Sequence, residues 1–390
     1  MIYNLPGRIK TLEPSPIQQA LQNTTASDVI AFSLGMPSEN LFPILSYKRV
    51  MLDFWMPNSL QYAPPIENLK HQIVDLMKQR GVNCTSKQIF LTSGAQQAIH
   101  LLCRVLIDRD EVAVTDTATY PGFIQAAQSL NINLSAVSVN FVDGMDMNEL
   151  DNLYKKTRKP KFLYTMSEGH NPLGMSLNKE KRLKLTEIAR TYQIPIIEDD
   201  AYGFLNYQTV EPPLKAYDND WVLYIGSFSK ILAPSARVGW VIAPETIITK
   251  LEILKESNDI NTATFSQRII SAFLDKGDFT KHLLHLQDSY KEKRDKMVKS
   301  LRKHIPELLF ITPPSGFLIW GKLPYSIDTD KLFWQALKNE KVSFLPGTAF
   351  GFSSDPYLSH CLRLSFSYCP LELIEIGVER LARAIKNYTI

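Results

Sequence analysis

Val222-Leu223-Tyr224-Ile225-Gly226-Ser227-Phe228-Ser229-Lys230 runs from an apolar stretch straight into a lysine, and Arg237 follows seven residues later. A lysine is nearly always a surface residue, but one that directly follows a buried strand sits where a desolvated, nucleophilic amine belongs. Apolar runs of the same kind recur at 89–91, 111–114, 162–166, 195–197 and 238–242 beside the run at 222–225, and most are followed by an amphipathic stretch. That alternation predicts an α/β fold, with a mostly parallel mixed sheet flanked by helices. Between 162–166 and 195–197, the segment 178–192 is expected to be a crossover helix with Leu183, Leu185, Ile188 and Ala189 on its buried face. The runs at 222–225 and 238–242 are too close for such a helix, so they are expected to pair antiparallel.

Beyond Pro244 the pattern changes. A long helical stretch extends to about His304, short strands follow at 317–320 and 362–365, and a helix closes the chain at 371–385. These read as a second, smaller α/β domain. The segment before Pro43, irregular with Pro14, Pro16, Pro37 and Pro43, is expected to pack on it. The expected division is 44–285 for the large domain, with 1–43 and 286–390 together forming the small one.

Composition excludes several classes. With 390 residues, 45% of them apolar and 43 basic against 40 acidic side chains, the chain is neither disordered nor a disulfide scaffold. The basic clusters at 155–161 and 291–303 read as a solvated turn and as the outer face of a helix, so no nucleic-acid partner is expected. Cys84, Cys103, Cys361 and Cys369 form no CxxC pair and read as core thiols of a reducing compartment. No signal segment opens the chain and no apolar run reaches the length of a membrane span, so a cytoplasmic protein without a membrane partner is expected.

In an open α/β sheet, ligands sit beyond the carboxyl ends of the strands. After 89–91 comes Thr92-Ser93-Gly94-Ala95-Gln96, opening a helix whose free backbone N–H groups suit a phosphate, although a serine cap alone is ordinary. After 111–114, Tyr120 presents a ring that can stack on a flat ligand or simply pack. After 162–166, Asn171 can offer an amide N–H to an oxygen, although Asn-Pro is also a plain turn signal. The run 195–197 ends in Glu198-Asp199-Asp200, carboxylates that are costly at a buried strand end unless a cation meets them. Mg²⁺ is the rival partner, but consecutive strand residues face opposite ways, so at most two converge and no metal is expected. Taken in order, a phosphate cradle, an aromatic plate, an Asn, an Asp and a Lys fit a phosphorylated, cationic heterocycle carrying an aldehyde. Pyridoxal phosphate is such a molecule.

With Ser-Phe-Ser-Lys and Arg237 behind it, Asp-Asp-Ala-Tyr at 199–202, Asn-Pro-Leu-Gly at 171–174, Gly35-Met36-Pro37, Leu41-Phe42-Pro43, Pro346-Gly347 and Arg363-Leu364-Ser365-Phe366, the chain resembles the pyridoxal-phosphate enzymes of fold type I. Within them it resembles the class I/II aminotransferases of the aminoadipate and kynurenine subgroup, over about 28–370. The resemblance implies an aminotransferase that moves an amino group from an amino acid to a 2-oxo acid. Lys230 would form the Schiff base with the cofactor and then carry the proton between Cα and C4′. Asp199 would pair with the pyridine nitrogen. Tyr202 and Asn171 would hold the ring oxygen, and Tyr120 would stack on the ring. Ser93, Gly94, Ala95, Gln96, Ser227 and Arg237 would bind the phosphate. Arg363 would clamp the substrate carboxylate with a bidentate fork, beside Asn171, Gly35, Leu34 and Leu318. Tyr62 would reach the cofactor of the other subunit of a homodimer.

Several positions depart from that pattern. Ala95 replaces a Ser or Thr, Ser167 and His170 stand where Pro and Gln are common, and 62–69 is short and lacks a Gly. Leu34 replaces a Gly and Leu318 a Phe on the substrate side. Those changes leave open another pyridoxal-phosphate reaction, such as decarboxylation, elimination or cyclisation. A regulatory module of the kind that follows a winged DNA-binding domain is disfavoured, because only some 27 residues precede Asp28.

Overall fold

In the computed structural model of the protein, residues 28–388 are described apart from 53, 56, 157–159, 210 and 353–354, together with Ile9 and Pro14. The central sheet is built from β1 (Ile89–Thr92), β2 (Val112–Asp116), β3 (Asn133–Val137), β4 (Leu163–Thr165), β5 (Ile196–Asp199), β6 (Val222–Ser227) and β7 (Gly239–Ile242). Their order is β1-β7-β6-β5-β4-β2-β3. β7 runs antiparallel to both neighbours, as its short connection requires, and the remaining pairs are parallel. β4, β5 and β6 are buried along their whole length, which is why they read as unbroken apolar runs. The edge strand β3, Asn-Leu-Ser-Ala-Val, is mostly half-exposed and was not anticipated, because its polar alternation carries no apolar run.

The helices that position the site are α1 (Ile44–Leu52), α2 (Ala95–Leu106), α3 (Pro121–Ser129), α4 (Lys179–Tyr192), α5 (Glu245–Asp259), α6 (Thr264–Asp275), α7 (Phe279–His304) and α8 (Leu373–Lys386). The crossover α4 is present, but one of its expected core residues is not in the core. Leu183 is 46% exposed, while Arg182 is fully buried with Leu185, Ile188 and Ala189. At 100° per residue, positions 183 and 185 lie on nearly opposite sides of a helix, whereas 182, 185 and 189 share one face. Arg182 tolerates burial because Glu168 Oε2 accepts from its Nη2 at 2.7 Å and the carbonyl of Leu177 accepts from its Nε, also at 2.7 Å.

The expected long helix to His304 is three helices, α5 to α7, interrupted around Ile260 and at Gly277, whose φ of 75° suits glycine. The basic stretch of α7 is only partly an outer face. Lys291, Lys299 and Lys303 are exposed, but Lys293 and Arg294 are buried. The centre of the other basic cluster, 157–159, lies outside the described residues.

A second sheet, antiparallel throughout, has the order β8-β9-β11-β10, from β8 (Leu309–Phe310), β9 (Leu318–Lys322), β10 (Leu345–Pro346) and β11 (Cys361–Ser365). α7 packs against α8 beside it. Most of the chain before Pro43 lies outside the described residues, but Ile30–Ala31 pairs in parallel with Val342–Ser343, and Ser365 donates its N–H to the carbonyl of Phe32 at 2.8 Å. Cys103, Cys361 and Cys369 are buried, Cys84 is half-buried, and all are free thiols.

The contrast on α4 is testable. Arg182→Met is expected to cost about 3–5 kcal/mol, because it leaves Glu168 buried without its cation. Leu183→Ala is expected to change stability by less than about 0.5 kcal/mol. Urea midpoints of the two variants check this, and similar shifts would contradict the assignment of the buried face.

Candidate active site

A cavity of about 260 Å³ opens beyond the carboxyl ends of the parallel strands, walled by residues from both sheets. Of the residues expected from the sequence, Leu34, Gly35, Ala95, Gln96, Tyr120, Asn171, Asp199, Tyr202, Ser227, Lys230, Arg237 and Arg363 line it. Ser33 and Arg363, 330 positions apart in the chain, thus meet in one wall with the ends of β5 and β6.

The three carboxylates of β5 and its end take separate partners. Glu198 accepts the backbone N–H groups of Leu214 at 2.7 Å and Lys215 at 2.9 Å, with the Ser167 hydroxyl as a further donor. Asp200 is paired with Arg80 and accepts from Tyr224 Oη at 2.9 Å. Asp199 accepts from Tyr164 Oη at 2.7 Å, while its buried Oδ1 has no hydrogen-bond partner. Asp200 Oδ1 lacks one too, but that carboxylate already has its cation. Asp199 is therefore the carboxylate left for a ligand cation or N–H. Burial pushes it up to about 6, with the Tyr164 bond opposing and Asp200 adding to the rise.

Lys230 follows directly from β6, and its Nζ donates to the carbonyl of Gly35 at 2.9 Å. Burial, with Arg363 and Arg237 as like charges, lowers it to about 8 against the opposing pull of Asp199. Such an amine is partly neutral near pH 8 and so nucleophilic. Arg363, on β11, donates through Nη2 to the carbonyl of Ser33 and through Nη1 to Asn171 Oδ1 at 3.4 Å. Its Nε is buried without a partner, and burial lowers its pKa to about 10.

At the other end, Gly94 caps α2 with φ 84°. A Cβ there would stand 2.5 Å from Arg237 Nη2, so glycine keeps open the space between the helix start and that guanidinium. Backbone N–H groups of a first helical turn beside an arginine form an anion site. Gln96 Nε2 is tied to the Gly122 carbonyl at 2.7 Å, and Ser227 Oγ accepts from the Ser229 N–H at 3.1 Å.

Four expected residues stand elsewhere. Ser93 is beside the wall, its Oγ 3.5 Å from Asp259 Oδ2, and Gly94 lies behind Arg237. Leu318 is fully buried behind Gly35, 3.8 Å from where that residue's Cβ would be. Tyr62 is 88% exposed and away from the cavity of its own chain. Sequence reasoning missed Ser33, Met36, Met166, Ala201 and Ser229 in the wall, and Tyr164 behind Asp199. Met166 and Tyr164 share one face of the run at 162–166 by strand alternation, a signal that was available.

The family "Aminotransferase class I and II" matches residues 38–381. The chain is 34% identical to the aromatic-amino-acid aminotransferase 1 of Thermococcus litoralis, over 96% of this chain and 92% of that protein. Among solved structures it is similar to an archaeal alanine:glyoxylate aminotransferase, with a TM-score of 0.94, 32% identity and full coverage of both chains. It is also similar to the kynurenine aminotransferase of Pyrococcus horikoshii, with a TM-score of 0.92, 31% identity and coverage of 98% of this chain and 97% of that one.

The raised pKa of Asp199 has a direct consequence for the ligand-free protein. Between 3.8 and about 6 the folded chain holds a proton that the unfolded chain has lost. Stability therefore falls as pH rises through this window, and the penalty is complete at pH 7. Asp199→Asn is expected to stabilise ligand-free protein by about 1–3 kcal/mol at pH 7 and to do little below pH 4. Urea midpoints at the two pH values check this; equal effects at both would refute it.

Proposed function

Because the chain belongs to the class I and II aminotransferases, pyridoxal-phosphate-dependent enzymes that move an amino group from an amino acid to a 2-oxo acid, we propose that the cavity over the strand ends is where it does so, with Lys230 as the amine that carries the cofactor. The activity is the family's: this chain is a pyridoxal-phosphate-dependent aminotransferase. The single observation that carries the assignment of the site is the unpartnered Asp199 Oδ1 in a wall that also holds Lys230, Arg237 and Arg363. That donor set fits the cofactor, with an anion for the ring nitrogen, cations and helix N–H groups for the phosphate, and an amine for the aldehyde.

Bound pyridoxal phosphate supplies an electrophilic carbon for the substrate amine and a protonated ring that accepts the electron pair left at the substrate Cα. The chain does the rest. Asp199 holds the proton on the ring nitrogen, since an anion in a site of low dielectric favours the protonated form. Tyr120, in the same wall, would pack on the ring. Asn171 turns its Oδ1 to Arg363, which leaves its amide N–H, with Tyr202 Oη, for the ring oxygen. The first-turn N–H groups of α2, with Ser227 and Arg237, would hold the phosphate. Arg363 would grip the substrate carboxylate and so fix the Cα–H bond within reach of Lys230, whose amine would serve as the base that carries the proton away from Cα.

The same wall points to the donor class. Beyond Lys230, Arg237 and Arg363, no lysine or arginine among the described residues lines the cavity, and the remaining space is bordered by Leu34, Met36 and Met166. A second carboxylate would be buried there without a cation, so the donors are monocarboxylic amino acids with uncharged, apolar or aromatic side chains. The names of the Thermococcus litoralis and Pyrococcus horikoshii relatives support that class. In a panel of amino acids mixed with holoenzyme, phenylalanine and leucine are expected to convert the cofactor absorbance at least about 10-fold more efficiently than aspartate. Lys230→Ala is expected to abolish turnover. Equal use of aspartate would overturn the donor class, and full turnover by Lys230→Ala would overturn the site.

The active unit is a homodimer. Leu45, Leu52, Trp55, Leu60 and Tyr62 are each 60–88% exposed along α1 and the turn after it, an apolar face that a second copy would cover. Tyr62 reaches the partner's cavity from there. The free thiols support a cytoplasmic setting, and no helix among the described residues is long and apolar enough to cross a membrane. The division into a large domain at 44–285 and a small one that joins the described part of 1–43 to 286–388 is proposed along with the dimer. Sedimentation is expected to give a dimer mass, and Leu52→Glu with Trp55→Glu a monomer with weakened cofactor binding. A wild-type monomer with tightly bound cofactor would contradict the dimer.

A further inference from the structure

Residues 33–36 line the cavity beside Lys230, and the backbone from 33 to 38 is fastened at four points. Arg363 Nη2 donates to the Ser33 carbonyl, Lys230 Nζ to the Gly35 carbonyl at 2.9 Å and Ser367 Oγ to the Met36 carbonyl at 2.7 Å, while the Ser38 N–H donates to Tyr290 Oη at 3.0 Å. The fastenings fall into two kinds. Those at Ser33 and Gly35 use the cations that the reaction needs for other bonds, so they cannot persist unchanged through a turnover. Those at Met36 and Ser38 use groups outside the cavity wall.

The second kind is built with care for satisfied polar groups. Tyr290 is fully buried, and its ring packs on Phe317 with centroids 4.5 Å apart. One turn further along α7, Lys293 is only 8% exposed and donates to the Ser367 carbonyl at 2.7 Å. A buried ammonium is costly without partners, so this one marks a backbone position worth fixing. What it fixes is the turn after β11. Ser367 spends its hydroxyl proton on Met36, so Ser365 Oγ, 3.0 Å away, is the donor between the two hydroxyls. Ser365 in turn donates its N–H to Phe32. Helix α7 therefore reaches the wall-forming segment twice, directly through Tyr290 and through the Lys293–Ser367 pair.

We propose that Tyr290 and the Lys293–Ser367 pair are positioning residues that hold residues 33–38 in register over the cavity, and so decide which amino-acid side chains Leu34 and Met36 admit. The proposal rests on the aminotransferase reading of the cavity. With Met36 and Ser38 pinned, release of Ser33 and Gly35 during turnover lets Leu34 give way while Met36 stays. That gives the pocket one soft wall and one hard wall.

Tyr290→Phe keeps the ring packing and removes only the acceptor, Ser367→Ala removes the donor to Met36, and Lys293→Met is expected to reproduce Ser367→Ala. In holoenzyme assayed with phenylalanine, leucine and alanine, KM is expected to rise about 3- to 10-fold for at least one donor, the size of a lost neutral hydrogen bond. The rise is expected to be unequal, compressing the phenylalanine-to-alanine preference, with kcat within about 2-fold and cofactor affinity unchanged. In ligand-free protein, amide exchange in the peptide 32–40 is expected to quicken about 10-fold for Tyr290→Phe. A uniform loss across donors, a loss of cofactor affinity, or unchanged KM and exchange would overturn the proposal. Wild-type enzyme inert toward every donor would instead take down the reading of the cavity on which the proposal rests.

Discussion

Three consecutive carboxylates at the end of a buried strand are the constraint around which this molecule is arranged. Glu198, Asp199 and Asp200 are all at most 2% exposed. Each buried carboxylate is costly unless it is paired, hydrogen-bonded or protonated. The chain meets the cost three ways at once. Backbone N–H groups at the start of a short helix and Ser167 satisfy Glu198, Arg80 neutralises Asp200, and Asp199 stays incomplete. On the proposed assignment, its open Oδ1 is where the cofactor's ring nitrogen would bind.

The cations of the cavity carry the complementary strain. Lys230, Arg237 and Arg363 stand in one wall with Asp199 as the opposing charge, and the two guanidiniums help lower the Lys230 ammonium. Without a ligand, Lys230 and Arg363 lean on carbonyls of residues 33–35, which bear partial charge only. A dianionic phosphate and a carboxylate would relieve that imbalance far better than backbone oxygens do. On the proposed assignment, the same electrostatics would favour a ligand bearing anionic groups and one ring cation.

Most of this was legible in the sequence because strand ends are local features. A run such as 222–227 announces both the strand and the residues presented at its end, so Lys230, Asp199, Asn171 and Tyr120 could be placed by position alone. Features that depend on tertiary partners were not legible. Lys293 reads as part of a solvated face, and Arg182 is missing from the expected buried face of α4, because nothing nearby in the chain reveals the Ser367 carbonyl or the Glu168 carboxylate that make their burial possible. β3 escaped because an edge strand needs no apolar run, and Tyr290 escaped because its partner Ser38 lies 252 residues away.

The departures from the family pattern gain a physical meaning from the same network. Ser167 and His170 flank the loop that carries Asn171, where Pro and Gln would be ordinary for such enzymes. Ser167 donates to Glu198 and accepts from Arg182 Nη1 at 3.2 Å, while its carbonyl takes Arg182 Nη2 at 3.0 Å. His170 Nε2 lies 3.2 Å from Asp116 Oδ2, which also accepts from Thr165 Oγ1 at 3.0 Å. A proline at 167 would supply neither the hydroxyl that Glu198 uses nor its own N–H. The loop is thus held by buried polar bonds to β2, β5 and α4 in place of proline's fixed φ. The position of Asn171, and through it of Arg363, is consequently tied to the same carboxylate pairing that leaves Asp199 open. Substitutions in that network should therefore act on cofactor and substrate together, because one set of buried charges supports both.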